Sequence, residues 1–453
     1  MSLGGPRFGS LLPEVRVPPP GPVSRALSER LRAVESRNIT HVGDHWPVFW
    51  EEATGSNVRD ADGNVYIDLT AAFGVALLGH ANPPVRLAIA EQSQRLIHGM
   101  GDIHPPTKKL ELLERLARVS PWDDTRTVLA STGSEAVEIA LKTALLASGR
   151  PGILAFEGGY HGLTLGSLAA TERVYFRGPF TGRVYGGVAF APFPDSVRDD
   201  ELGGSASLAR VVELLDVGAP NGDAIGTIVV EPVQARGGAR IGPLPFMDAL
   251  SRLAAEGEVL LIADEIMTGL GRCGSMFASQ RVGLTPDLIC IGKALGGGMP
   301  ISACMGPSRV MDAWPESAGE AIHTSTFLGH PLSCAAALSV LDAFDLDAVP
   351  AKAEKIGAAL LNGLRERLSH LAKVAEVRGL GLLLGIELVE EDGVTPADGA
   401  AARVAERALG RGLLVLPAAD RGHVLELTPS ITLTKEQIEY VIDVLADVIE
   451  GVS

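Results

Sequence analysis

The 453-residue chain is short of several things, and each shortage excludes a class of function. No apolar run approaches the roughly 20 residues that span a bilayer, so a membrane partner is not expected. Cysteine is sparse. Cys273, Cys290, Cys304 and Cys334 sit in apolar or glycine-rich stretches at spacings that match no zinc pattern, and a reduced, cytoplasmic protein with structural thiols is the simplest reading. Positive charge is in deficit: 39 Lys and Arg face 55 Asp and Glu, for a formal charge of −16. That balance argues against nucleic acid or an anionic membrane as the main partner. Two nucleotide signatures are missing as well. There is no GxxxxGK[ST], and no GxGxxG opens a helix after a strand, which disfavours a P-loop or a nicotinamide enzyme. The N-terminal "MSLGGPRFGSLLPEVRVPPPGP" lacks the compact apolar core of a signal peptide, and its prolines predict a loose or draped arm.

What is present is globular: 46% hydrophobic and 21% charged residues. "NVRDADGNVYIDLT" reads as a hairpin turning at Asp62-Gly63. From about residue 80, helices alternate with short apolar strands at 126–131, 152–157, 225–231, 258–265 and 287–293. Such a pattern predicts a largely parallel α/β sheet with helices on both faces. Past residue 335 a long helix, "CAAALSVLDAF", leads into shorter strands ("VAEVRG", "GLLLGIEL", "GLLVLP", "HVLELTP") and a last helix opened by a Thr434/Gln437 capping box. The expected division is an arm and hairpin over 1–70 packing with the small unit, a large domain over 71–335, and a small C-terminal domain over 336–453.

Chemistry concentrates where strands end. Ligands of open parallel sheets gather beyond the carboxyl ends of strands. Three candidate strands here end in ionisable groups: Glu231, the pair Asp264-Glu265, and Lys293, which is followed by Gly296–Gly298. The strand "TVLAS" runs through Thr132-Gly133-Ser134 into a helix, whose N-terminal N–H groups and dipole suit a phosphate. An amine for an aldehyde, a phosphate cradle and an acid opposite a pyridine nitrogen are what pyridoxal 5′-phosphate requires. Singly, each of these residues has an ordinary structural reading: a rim ion pair, a serine cap, a core aromatic.

The motifs "STGSEAVEIALK", "FEGGYHG", "EPVQARGG", "LLIADEIMTGLGR", "PDLICIGKALGGGMPISA" and "HTSTFLGHPLSCAAAL" together resemble the class III, fold type I, pyridoxal-phosphate aminotransferases, from the hairpin near residue 58 to the last helix. The resemblance implies a large domain with a mostly parallel seven-stranded sheet between helices, plus a smaller α/β C-terminal domain. It implies that Lys293 is the Schiff-base lysine and proton shuttle, and that Asp264 is the partner of the pyridine nitrogen. Gly133 and Ser134 would bind the phosphate. Tyr160 would stack on the ring, Ile266 would pack on its other face, and Met267 would lie by the ring hydroxyl. Thr326 would reach the phosphate of the neighbouring subunit, which implies a homodimer. Glu231 would stand behind the site and His161 would be a structural hydrogen-bonder.

The chain also departs from the family pattern. Relatives acting on ω-amino acids pair a carboxylate-binding arginine near the C-terminus with a glutamate after "EPVQG". The corresponding residues here are Glu426 and Arg236, with the charges exchanged. A second arginine of those relatives is Leu163 here. Arg236 and Glu426 are therefore either a substrate gate or a structural pair, Arg421 is a conceivable mobile substitute, and Phe73 is a candidate substrate contact at the site mouth. The expected reaction moves an amino group from an amine or amino acid to an oxo acid. An aminomutase or an amino-acid racemase or epimerase would share the same core motifs. The exchange hints at a donor without the usual carboxylate, such as a diamine or an amino sugar.

Overall fold

A computed structural model describes residues 7–199 and 203–451. The first six residues of the expected arm lie outside that range. The arm is draped and fastened. Asn57 Oδ1 accepts the N–H groups of Gly9 and Leu11 at 3.0 and 2.8 Å, and Gln437 Nε2 donates to the Leu11 carbonyl at 2.9 Å. It also holds a helix, Pro22–Val34, that the proline density obscured. Proline at the start of a helix costs nothing, because the first N–H groups have no intrahelical partner. Those of Val23 and Ser24 donate to Asp62, the acid of the expected hairpin turn, at 2.8 and 2.9 Å.

The hairpin pairs Asn57–Asp60 with Val65–Asp68 antiparallel, and the latter strand continues parallel to Leu413–Leu414. Sequence-distant ends of the chain thus share one small sheet.

Seven strands form the large sheet: β1 Thr125–Ala130, β2 Gly152–Phe156, β3 Val188–Ala191, β4 Ile225–Val230, β5 Leu260–Asp264, β6 Leu288–Ile291 and β7 Ser302–Pro307. Their order is β1-β7-β6-β5-β4-β2-β3. Only β7 runs against the rest. Every residue of β4 and β6 is buried. Burial on both faces explains why these strands read as continuous apolar runs rather than alternating ones. Beneath the sheet Phe156, Phe193 and Phe246 meet edge to face with centroids 5.8–5.9 Å apart, each pair adding about 0.5–1.5 kcal/mol beyond its burial.

The C-terminal part has its own apolar core. A four-stranded antiparallel sheet orders Val374–Leu380, Leu383–Leu388, Val424–Leu427 and Leu416–Ala418. The helices Val349–Leu368, Ala400–Gly410 and Lys435–Gly451 pack against it. The last of these carries the expected box, with Thr434 Oγ1 accepting from Gln437 N–H at 3.2 Å and Gln437 Oε1 accepting from Thr434 N–H at 3.0 Å.

The two parts are tied by Arg272, which is fully buried. It donates to the carbonyls of Gly74, Thr428 and Pro429. Burial pushes its guanidinium down to about 10.

Candidate active site

The parallel strands end on one edge, and the ionisable strand ends meet there. A cavity of about 210 Å³ is lined by Gly133, Ser134, Tyr160, His161, Gly162, Glu231, Ala235, Arg236, Asp264, Ile266, Met267 and Lys293. Of the expected pair at the end of β5, only Asp264 joins it. Successive residues of a strand point to opposite faces. Glu265 turns away and accepts the N–H groups of Ala278 and Ser279 at 3.0 and 2.7 Å, and the Thr268 hydroxyl.

Asp264 is 4% exposed. Its Oδ1 accepts Ile266 N–H at 3.1 Å, which sets Ile266 over the cavity, and its Oδ2 bonds His161 Nδ1 at 2.8 Å. Burial opposes charge on His161, but the hydrogen bond and charge of Asp264, with help from Glu231, leave its pKa raised. The partner of His161 could not be read from sequence, because the two residues lie 103 positions apart. Glu231 accepts Tyr160 N–H on one oxygen at 3.0 Å and Ala235 N–H on the other at 3.2 Å. Burial, with Asp264 adding to it, carries Glu231 up to about 7 despite the nearby His161.

Lys293 follows β6 at φ 31, a left-handed conformation that costs a non-glycine residue of order 1 kcal/mol or more. Burial lowers its pKa, against the attraction of Asp264, Glu231 and Glu426. A desolvated lysine spends more of its time as a free amine, the form that is a base and a nucleophile.

The helix Gly133–Ser148 opens onto the same cavity. A Thr132/Glu135 capping box begins it, using the Glu135 N–H. Among the described residues no hydrogen bond is found for the N–H of Gly133 or Ser134. Ser134 Oγ accepts Leu163 N–H at 3.1 Å. A Cβ at Gly162, where φ is +118°, would stand 2.1 Å from that Oγ, and a Cβ at Gly133 would stand 3.0 Å from Ile266. Free N–H donors at a helix start, bare backbone around them, a buried amine and a buried carboxylate make a donor set that fits a phosphorylated pyridine aldehyde.

A strained turn borders this wall. Ala71, Ala72 and Phe73 take φ of 42, 49 and 60°, and Asp68 holds them by accepting Thr70 N–H at 2.8 Å and Ala72 N–H at 3.1 Å. The turn brings Gly74 so close that a Cβ there would meet Met267 Sδ at 2.6 Å. Phe73 itself is 62% exposed and is not among the lining residues.

The remaining predicted residues separate. Arg236 lines the cavity, and Glu426 lies behind it, 3% exposed, with 3.5 Å between Nη1 and Oε2. Thr326 is exposed in a different groove with His98, Met100 and Asp102. Arg421 is held by Asp398 at 2.8 Å and faces solvent.

Residues 39–449 match the family model for class III aminotransferases. The chain is a class III aminotransferase. It is 36% identical over 422 residues to an acetylornithine aminotransferase of Methanothermobacter thermautotrophicus, covering 93% of this chain and 99% of that one. It is 35% identical over 430 residues to a 5-aminovalerate aminotransferase of Pseudomonas aeruginosa, covering 94% and 98%. Among solved structures, a PLP-bound amine transaminase from an uncultivated Pseudomonas superposes with a TM-score of 0.83 at 30% identity, covering 92% and 98%. This aminotransferase uses pyridoxal phosphate. The large seven-stranded, mostly parallel sheet and the smaller C-terminal domain are those of the fold type expected.

Proposed function

We propose that the enzyme takes amino groups from donors whose amine and carboxylate sit at opposite ends of a short chain, with Arg236 receiving the carboxylate. The observation that carries this reading is the order of the exchanged pair: the guanidinium is at the cavity wall and the carboxylate is buried behind it. A diamine would need Glu426 in front. At 3.5 Å through a single nitrogen the pair is loose, so Arg236 can turn to a ligand while Glu426 keeps it oriented. The names of the acetylornithine and 5-aminovalerate relatives support donors of this shape.

Within that reading, the residues divide the work. The N–H groups of Gly133 and Ser134 and the Ser134 hydroxyl hold the phosphate. Asp264, oriented by Ile266 N–H and His161, stands against the pyridine nitrogen. Tyr160 and Ile266 cover the two ring faces, and Met267 fills the hydroxyl side. Bound there, pyridoxal phosphate supplies an electron sink for the carbon that loses its proton. Lys293 Nζ anchors the cofactor, then takes that proton and returns it on the other side of the transfer. The buried walls keep water from competing.

The working unit in this proposal is a homodimer in the cytoplasm. Ile97, Met100, Ile103, Ile322 and Phe327 are each more than half exposed. The segments that carry them touch through a 2.7 Å Thr324–Asp102 hydrogen bond and the His98–Phe327 ring contact. An apolar patch of this kind marks an interface, and burying it against a second copy would bring Thr326 to the partner's phosphate site. Four buried free thiols accord with a reducing compartment.

The test is the half-reaction of the holoenzyme with 5-aminopentanoate and with pentylamine, which differ only by the carboxylate. The wild type should prefer the acid by about 10- to 100-fold in kcat/KM, the worth of a charge-assisted hydrogen bond, and Arg236→Met should remove the preference. Equal rates for the two donors in the wild type would refute the reading.

A further inference from the structure

Beside the cavity mouth the charges do not balance. Arg236 has one carboxylate partner, Glu426. Arg173 has none among the described residues. Its Nη2 donates to the Ala419 carbonyl at 3.1 Å, while its Nε and Nη1 are buried without a partner. Burial lowers its pKa and the neighbouring Arg236 lowers it further, with Asp420, Tyr160 and Glu172 acting the other way from a distance. A desolvated guanidinium normally finds a carboxylate or a full set of acceptors.

The position of Arg173 explains what is missing. Its guanidinium carbon sits 5.3 Å from the centre of the Phe176 ring, and that ring meets Tyr160, in the cavity wall, at 5.6 Å. On the other side, Ala419 connects the two arginines. Its carbonyl accepts from Arg173, and its N–H donates to the Arg236 carbonyl at 2.9 Å. The Arg173 guanidinium and the Arg236 backbone therefore grip the same residue of the small domain, and the carboxylate paired with either guanidinium is Glu426, on Arg236.

We propose that Arg173 is a specificity-determining residue that closes, together with Arg236, on the carboxylate of the substrate. One anion shared by two guanidiniums supplies the counter-charge that the free protein lacks and gives the two idle donors of Arg173 an acceptor. With leucine at 163, the site draws its second cation from the segment that follows the helix Leu165–Ala170. This inference rests on the reading of Arg236 as carboxylate receptor.

The test uses Arg173→Met and Arg173→Lys holoenzymes with the same donor pair, and calorimetric binding of the unreactive analogue pentanoate. Arg173→Met should lower kcat/KM for 5-aminopentanoate about 10- to 100-fold, mostly through KM, and weaken pentanoate by a similar factor. For pentylamine the change should stay below about threefold, and Arg173→Lys should recover part of the loss. A parallel fall for both donors would make Arg173 merely structural, and no fall for either would remove it from the site; both outcomes overturn the proposal. Arg236→Met, run alongside, keeps the two readings apart. If it abolishes the preference for the acid while Arg173→Met leaves that preference intact, only the part given to Arg173 fails. If neither variant alters the preference, the receptor itself is wrong.

Discussion

The two walls of the cavity are built in opposite ways. On the cofactor side, Asp264, Glu231 and Lys293 stand at or just beyond the ends of β5, β4 and β6, and Asp264 and Glu231 are locked by bonds from backbone N–H groups. On the side proposed for the substrate, Arg236 and Arg173 sit in connecting segments, and Glu426 comes from a small-domain strand. They are held by one long ion pair and one carbonyl. Rigid strand ends position reacting atoms to within the tolerance that catalysis needs. Loosely tied arginines can accept ligands of differing length, and change more cheaply in evolution. In the proposed reading the chemistry falls to the rigid wall and the choice of substrate to the loose one.

The contrast is sharpest at Lys293. Lys293→Ala should lower transamination by about 10³-fold or more, since the residue proposed as both anchor and proton carrier goes. Rapid-quench measurement of amino transfer checks it. The phosphate cradle is untouched, so equilibrium dialysis should still find cofactor bound. Wild-type turnover in this variant would break the division between the walls at its strongest point.

Next in size is a pH effect confined to the rigid wall. The folded chain holds a proton on Glu231 up to about 7 against an ordinary 4.5. The folded state therefore binds more protons than the unfolded one across that window, and stability falls as pH rises through it, then levels. His161 acts in the same sense: its pKa is raised, so its contribution is fully present below the ordinary histidine value and lost as pH climbs from there through the raised one. Glu231→Gln removes the first component. Its amide can accept only one of the two N–H groups, which costs about 1 kcal/mol at every pH. The stability lost between pH 5 and 8 should nonetheless shrink by on the order of 2 kcal/mol. Denaturant unfolding at several pH values reads the slope directly, and an unchanged slope would mean that Glu231 is ionised throughout.

The same contrast decides what the sequence could tell. The rigid wall was legible because strand ends, a capped helix and a lysine before glycines are local patterns, and local patterns survive in one dimension. Glu265 misled for an equally local reason: adjacent strand residues look alike in sequence but face opposite ways. The bond from His161 to Asp264, the β7 strand running against its neighbours and the pairing of Val65–Asp68 with Leu413–Leu414 were not legible, because each joins segments brought together only by folding. The loose wall was legible only as an anomaly, the exchanged charges of Arg236 and Glu426. Which of the two lines the cavity required the fold. Arg173 gave no signal at all, since an arginine with idle donors reads like any other until its surroundings are known.

The smallest expected effect bears on how far the loose wall extends. Arg421 belongs to the same stretch as Ala419, and from sequence it is as good a substitute for the missing family arginine as any. Its guanidinium is already engaged by Asp398, on an exposed ion pair away from the cavity. Exposed pairs of this kind contribute little, and solvent competes for both partners. Arg421→Ala should therefore change kcat/KM for 5-aminopentanoate by less than about twofold, against the tenfold or more expected from either arginine that flanks Ala419. A loss at Arg421 as large as theirs would show that the segment moves on binding, and that the carboxylate is met by a different guanidinium from the two that the resting geometry offers.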